Sequence, residues 1–107
     1  MNTKIHLVGK NCVLARNIIF MRAEVNYSEV FLINGQKIVL SKTLKQLENK
    51  FSSLNFFRSH KSYLINLSHV QGFKPNENNK ISLTNDFEVK LSRRKKNSFM
   101  QVYLKIK

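Results

Sequence analysis

The sequence predicts a mainly β fold with short helices, and three observations carry that expectation. Short runs of β-branched and aromatic residues fill the first half of the chain, broken by turn residues rather than repeating at helical spacing. An Asn34-Gly35 pair divides the apolar run Val30 to Ile33 from the run Gln36 to Leu40, which is a strong short-range hairpin signal. Helical periodicity is confined to one stretch after Thr43 and one after Arg94. At 107 residues the chain has the length of one domain, so residues 1–107 are expected to form a single unit around one Phe-rich core.

Ile5 to Val8 and Asn17 to Arg22 read as the first strands. In the hairpin that follows, Asn34 and Gly35 supply the positive φ angles of a two-residue turn. Thr43 then caps a helix whose third residue, Gln46, completes a capping box, and Leu44, Leu47 and Phe51 give it one apolar face. With Lys45, Glu48 and Asn49 turned to water, this helix from Leu44 to Phe51 reads as a brace against a sheet. The tract Phe56 to Asn66 mixes basic, polar and apolar residues. Val70 to Phe73, Lys80 to Leu83 and Phe87 to Leu91 are further short strands, separated by the turn-forming stretches 75–79 and 84–86. Phe99, Val102, Tyr103 and Ile106 share one face of a last helix that begins after Arg94.

The charge balance is the first functional clue. Nineteen Lys and Arg against six Asp and Glu leave +13, a field that gathers any polyanion: duplex DNA, RNA or an anionic membrane surface. Charge alone does not choose among them. Other classes are disfavoured by residues the chain lacks. Cys12 has no partner for a disulfide and reads as a small buried apolar residue in a protein of the reducing cytoplasm, while His6, His60 and His69 are dispersed and give no zinc-ligand spacing, so no cofactor is expected. The apolar runs are far shorter than a membrane span, and the Met1 segment lacks the apolar core of a signal peptide. Scattered carboxylates, three glycines and no nucleophile with a base near it in sequence argue against an enzyme or a small-molecule substrate.

Three places can carry recognition. Ser92, Arg93, Arg94, Lys95 and Lys96 follow a strand and open the last helix, and no acidic residue occurs after Glu88, so this corner should hold anions; the plain alternative is a solvated charge run. Arg58, His60 and Lys61 lie between Phe57 and Tyr63. Strict strand alternation would scatter them over both faces, whereas a turn within 59–62 would lift His60 or Lys61 to a loop tip. Arg58 and His60 stand equally as internal hydrogen-bonding residues. Asn26, Tyr27 and Ser28 begin the Asn-Gly hairpin and form a third loop, either as turn formers or as contacts to a base or phosphate.

The succession Ile18 to Tyr27, Ser41 to Leu47, Phe57-Arg-Ser-His-Lys-Ser-Tyr-Leu-Ile-Asn66 and Leu91-Ser-Arg-Arg-Lys95 resembles the LytTR DNA-binding domain family over residues 18–103. The resemblance implies small antiparallel sheets with brief helices in an elongated body. It also implies bacterial transcription regulation by loops entering successive major grooves of promoter DNA, commonly at paired direct repeats. On that likeness Lys61 and Arg94 contact bases, while Arg93, Lys95 and Lys96 hold phosphate. The first-loop contact falls on Tyr27, or by a one-residue slip on Asn26 or Ser28. No receiver domain fits before Ile18, so the chain is either a free-standing regulator, which Met1 favours, or a fragment of a longer one. A free-standing form implies control by abundance, a regulatory partner protein or a membrane-bound inhibitor; separately, the small area one domain buries on DNA implies a second copy on the adjacent repeat. Two rival readings stand beside this one. An RNA-binding module would need Phe20, Phe31, Phe56 and Phe73 exposed as a stacking platform, and a basic interaction domain for an acidic partner or membrane surface would show no sequence preference.

Overall fold

The computed structural model describes residues 3–8 and 11–106. Met1, Lys107 and the Ile106 side chain that closes the expected apolar face of the last helix lie outside the described residues. In chain order the strands are β1 (Lys4–Val8), β2 (Asn11–Leu14), β3 (Ile18–Ala23), β4 (Ser28–Leu32) and β5 (Lys37–Leu40). Helix α1 (Leu44–Lys50) precedes β6 (Phe56–His60), β7 (Tyr63–Asn66), β8 (Val70–Lys74), β9 (Lys80–Leu83) and β10 (Glu88–Lys90). A 3-10 turn over Arg93–Lys95 then runs into α2 (Lys96–Ile106). Every strand pair is antiparallel: β1 with β2, a three-stranded sheet in the order β10-β9-β8, and a five-stranded sheet in the order β5-β4-β3-β7-β6. The mainly β fold of small antiparallel sheets is therefore present, in a body 41 × 30 × 24 Å.

The expected single core is instead two apolar clusters, because the five-stranded sheet has two faces and each needs its own cover. Alternation sends Met21, Val30, Leu32, Ile38, Leu40 and Leu64 to one face, where Leu44, Leu47 and Phe51 of α1 and Leu7 of β1 pack on them. Phe20 and Ile65 turn to the other face, against Leu67, Ile81, Leu83, Val89, Leu91 and Phe99. A register shift between Ile18 and Phe20 lets Ile19 join Phe20 on that second face. Most of the aromatic rings sit there. Phe20 stacks on Phe31 at 4.5 Å, Phe87 meets Phe20 edge-on at 5.0 Å, and Phe73 and Tyr103 flank Phe99, each at 5.4 Å.

Helix α1 starts where the capping box placed it: Gln46 N–H donates to Thr43 Oγ1 at 3.1 Å, and Thr43 N–H donates to Gln46 Oε1 at 2.9 Å. Two local expectations are corrected. The β4–β5 connection is a three-residue loop, Ile33-Asn34-Gly35, closed by Gly35 N–H to Leu32 O (3.1 Å) and Leu32 N–H to Gln36 O (2.9 Å). Only Gly35 in this loop takes a positive φ, +90°, and the Asn34 carboxamide oxygen accepts from Gln36 N–H at 2.9 Å. Cys12 is exposed, not buried. Ile5 and Val13 pair across the β1–β2 hairpin and point into the first cluster, so the neighbouring pair His6 and Cys12 must face outward.

Asn66 ends β7 fully buried. Its Nδ2 donates to Ala15 O (3.2 Å) and Ile18 O (2.9 Å), and its Oδ1 accepts from Ser68 N–H (3.0 Å), so one side chain joins the starts of β3 and β8. Asn66→Ala strands buried carbonyls and is expected to cost about 1–3 kcal/mol in urea unfolding. An unchanged midpoint and slope would show that those carbonyls do not depend on it.

Candidate nucleic-acid interface

Sheet register, not sequence spacing, assembles the candidate site. Because β3 runs antiparallel to both β4 and β7, with Arg22 opposite Glu29 on one side and Tyr63 on the other, the β3–β4 turn and the β6–β7 turn emerge at the same end of the sheet. Ala23 N–H donates to Ser62 O at 2.9 Å and ties the first turn to the second. Ser92 N–H donates to Ser59 O at 2.8 Å and brings the segment after β10 to the same place.

In the first turn Asn26 and Tyr27 are exposed, but Ser28 is not: it is buried, and its hydroxyl donates to Lys42 O at 2.7 Å, so this member of the expected set belongs to the fold. The turn borders a cleft of about 390 Å³ that also takes in Lys42, Lys45 and Arg58. Lys42 and Lys45 were not singled out in the sequence. Their signal was a basic residue on each side of the Thr43 cap, set aside when α1 was read as a brace.

The puzzle of 57–63 is resolved by a bulge. Register shifts between Arg58 and His60, so Ser59 is wholly buried while Lys61 and Ser62 form the expected turn and Lys61 is exposed at its tip. Arg58 has a structural duty. Its Nε and Nη2 donate to His60 O (3.0 Å) and Lys61 O (2.7 Å), and its Nη1 pairs with Glu48 at 3.1 Å, so the guanidinium clamps the turn onto α1. His60 is half-buried, with Nδ1 accepting Ser62 N–H at 3.1 Å. The neutral ring therefore carries its proton on Nε2 and offers a donor there. Ser92, Arg93, Arg94 and Lys95 share a cleft of about 550 Å³ with His60, Lys61, Arg58 and Glu48. Arg93 and Arg94 are exposed, Lys96 is half-buried, and Lys95 Nζ lies 5.9 Å above the Phe57 ring.

The acids that form ion pairs form them with other cations, even where Glu48 lines the same cleft. Glu29 is buried against Arg22 (2.6 Å) and Lys37 (2.8 Å); the Lys37 and Arg22 hydrogen bonds hold its carboxyl below the ordinary range although burial opposes them. Glu88 takes Lys74 (2.7 Å) and Lys80 (3.9 Å), and Glu48 takes Arg58. Among the described residues no ion pair engages Lys61, Arg93, Arg94, Lys95 or Lys96. None holds three or more His, Cys, Asp or Glu placed to bind a metal, and no helix among them is long and apolar enough to cross a membrane.

A mainly antiparallel scaffold thus gathers three connections and a group of cations without ion pairs at one end, the arrangement of a candidate polyanion-binding domain. The family model described as the LytTr DNA-binding domain matches residues 10–103, and the chain belongs to that family. The match begins ahead of the residues 18–103 recognised in the sequence and so includes β2. A solved structure described as the LytTr DNA-binding domain of a protein from Bacillus cereus shares the fold at 17% identity, with a TM-score of 0.78 over 92% of this chain and 94% of that one. Comparison with curated proteins finds no match. Family membership makes this a DNA-binding domain of transcription regulation.

Burial pushes the His60 pKa below 6.5, and Lys61, Lys90 and Arg58 push it the same way. The unfolded chain therefore takes up a proton first as pH falls. The His60 contribution to stability is complete above pH 6.5 and is lost as pH drops through the lower native value. In an NMR titration of the free protein, His60 is expected to titrate below 6.5, with the Ser62 amide shift following it as Nδ1 stops accepting. A midpoint at or above 6.5 would contradict this account of the turn.

Proposed function

We propose that the chain is a sequence-specific, non-catalytic reader of double-stranded promoter DNA in the bacterial cytoplasm, with residues 1–107 acting as one binding unit. The observation that carries the proposal is the concentration of cations without an ion pair, Lys61 and Arg93 to Lys95 with Lys96 at the start of α2, on connections tied together by backbone hydrogen bonds. Lys and Arg contacts to phosphate give most of the affinity and set the register, while a few loop side chains discriminate bases. Arg94 and Lys61 are the base-reading candidates. Arg93 and Lys96 hold phosphate with Lys95, while His60 donates from Nε2 and Asn26 and Tyr27 serve the first loop. The loops enter successive major grooves, and two copies on adjacent direct repeats make up for the small area one copy buries.

The RNA reading loses its stacking platform: Phe20 is buried, and the half-buried Phe31, Phe56 and Phe73 pack into the two clusters. Tyr27 is the one exposed large aromatic side chain among the described residues.

Selection from a random duplex library at near-physiological salt, with single-stranded RNA as competitor, is expected to enrich a short motif, repeated at about one helical turn. No enrichment, or full displacement by RNA, would move the function to RNA or to charge-driven binding of an acidic partner or membrane surface. On the enriched site Arg94→Ala is expected to cost ~1–3 kcal/mol and relax one base position, while Lys96→Ala weakens all sequences alike and lowers the salt slope by about one. Lys96 is a cleaner probe than Lys95, whose ammonium also packs over Phe57. Equal losses on every sequence for both variants would refute that division of roles.

A further inference from the structure

We propose that Val25 reads the 5-methyl group of a thymine, so that the first loop selects an A·T pair; this rests on the DNA-binding reading above. Glu24 N–H donates to Tyr27 O at 2.8 Å and closes the β3–β4 hairpin, leaving Val25 and Asn26 as its two tip residues. The bond from Ala23 N–H to Ser62 O anchors the tip beside the second loop. Val25 is 95% exposed, more than any other large apolar side chain among the described residues, and it joins neither apolar cluster.

Nothing in the fold uses this side chain. Turn tips favour Gly, Asn, Asp and Pro for their backbone conformations, and a β-branched residue adds no turn-forming bond. Single exposed apolar residues are ordinary on protein surfaces, so position and chemistry must carry the assignment. The position is the tip of a hairpin within the candidate interface, bordering the cleft that Lys42 and Lys45 also line. The chemistry is complementary to DNA: among the groups that base pairs show in the major groove, the thymine methyl is the apolar one. Valine presents two methyls on a stiff χ1 and so loses little freedom on contact. Its neighbour Asn26 has the paired donor and acceptor that fit adenine N6 and N7, on the other half of the same base pair. Glu24, at the base of the tip, is held by Arg22 at 3.6 Å, and the cations beside the loop, Lys42 and Lys45, flank the tip rather than occupy it, leaving Val25 and Asn26 as its leading side chains.

The test uses the full chain and the site obtained by selection. Each thymine is replaced in turn by deoxyuridine, which removes the methyl and leaves the pairing edge intact. Wild type is expected to lose roughly fourfold in affinity at one thymine, the effect of withdrawing about one buried methyl. Val25→Ser should bind the thymine and deoxyuridine sites equally while keeping the wild-type melting temperature. An equal deoxyuridine loss in both proteins, or no methyl-sensitive thymine, overturns the Val25 assignment and leaves sequence-specific binding standing. Failure to select any motif defeats both readings together.

Discussion

Antiparallel pairing of β3 with β7 is the constraint on which the rest depends. These strands lie at the centre of the five-stranded sheet, and Ile18, Ile19, Met21, Leu64 and Ile65 are shut away from solvent on its two faces. The register that buries them also decides which turns share an end of the sheet, because a one-residue slip would exchange the two faces. Asn66 locks that register by spending its carboxamide on backbone at the start of β3. The position of the candidate recognition loops is thus a by-product of burying apolar side chains.

Electrostatics acts on top of this scaffold. With 19 cationic and six acidic side chains, pairing cannot spread neutralisation evenly. Glu29 is buried between Arg22 and Lys37, and the Arg22 guanidinium also lies 5.2 Å over the Phe31 ring. Glu88 works within the three-stranded sheet. Glu48 acts indirectly, holding the arginine that clamps the second turn. Acids placed for scaffold duties leave Lys61 and Arg93 to Lys96 without ion pairs, so like charges gather at one end.

Local signals proved sound where a short stretch decides its own structure. The Thr43–Gln46 box involves neighbours on one turn of helix, and the family blocks kept their order because the loops and the strands that carry them are contiguous in sequence. The errors came where a distant face intervened. Cys12 looked like a core residue until the one-sided cover of a two-stranded hairpin turned it outward. Ser28 looked like a loop residue until Lys42 O claimed its hydroxyl. Arg58 could be left either as a contact or as an internal residue, since nothing in 56–66 shows that α1 supplies Glu48 and that the turn supplies two carbonyls.

The sequence by itself determined the mainly β character, the hairpin, the capped helix, the strongly basic charge and the family, because each depends on composition or on residues within a few positions of one another. Tertiary structure alone decided that residues 24–27, 60–62 and 92–95 meet at one end of the molecule, that Lys42 and Lys45 border the first of them, and which cations lack a carboxylate. Those facts follow from strand register and from hydrogen bonds across 30 or more residues, such as Ala23 to Ser62 and Ser59 to Ser92. Periodicity reports which face a side chain takes, but not which distant strand lies beside it.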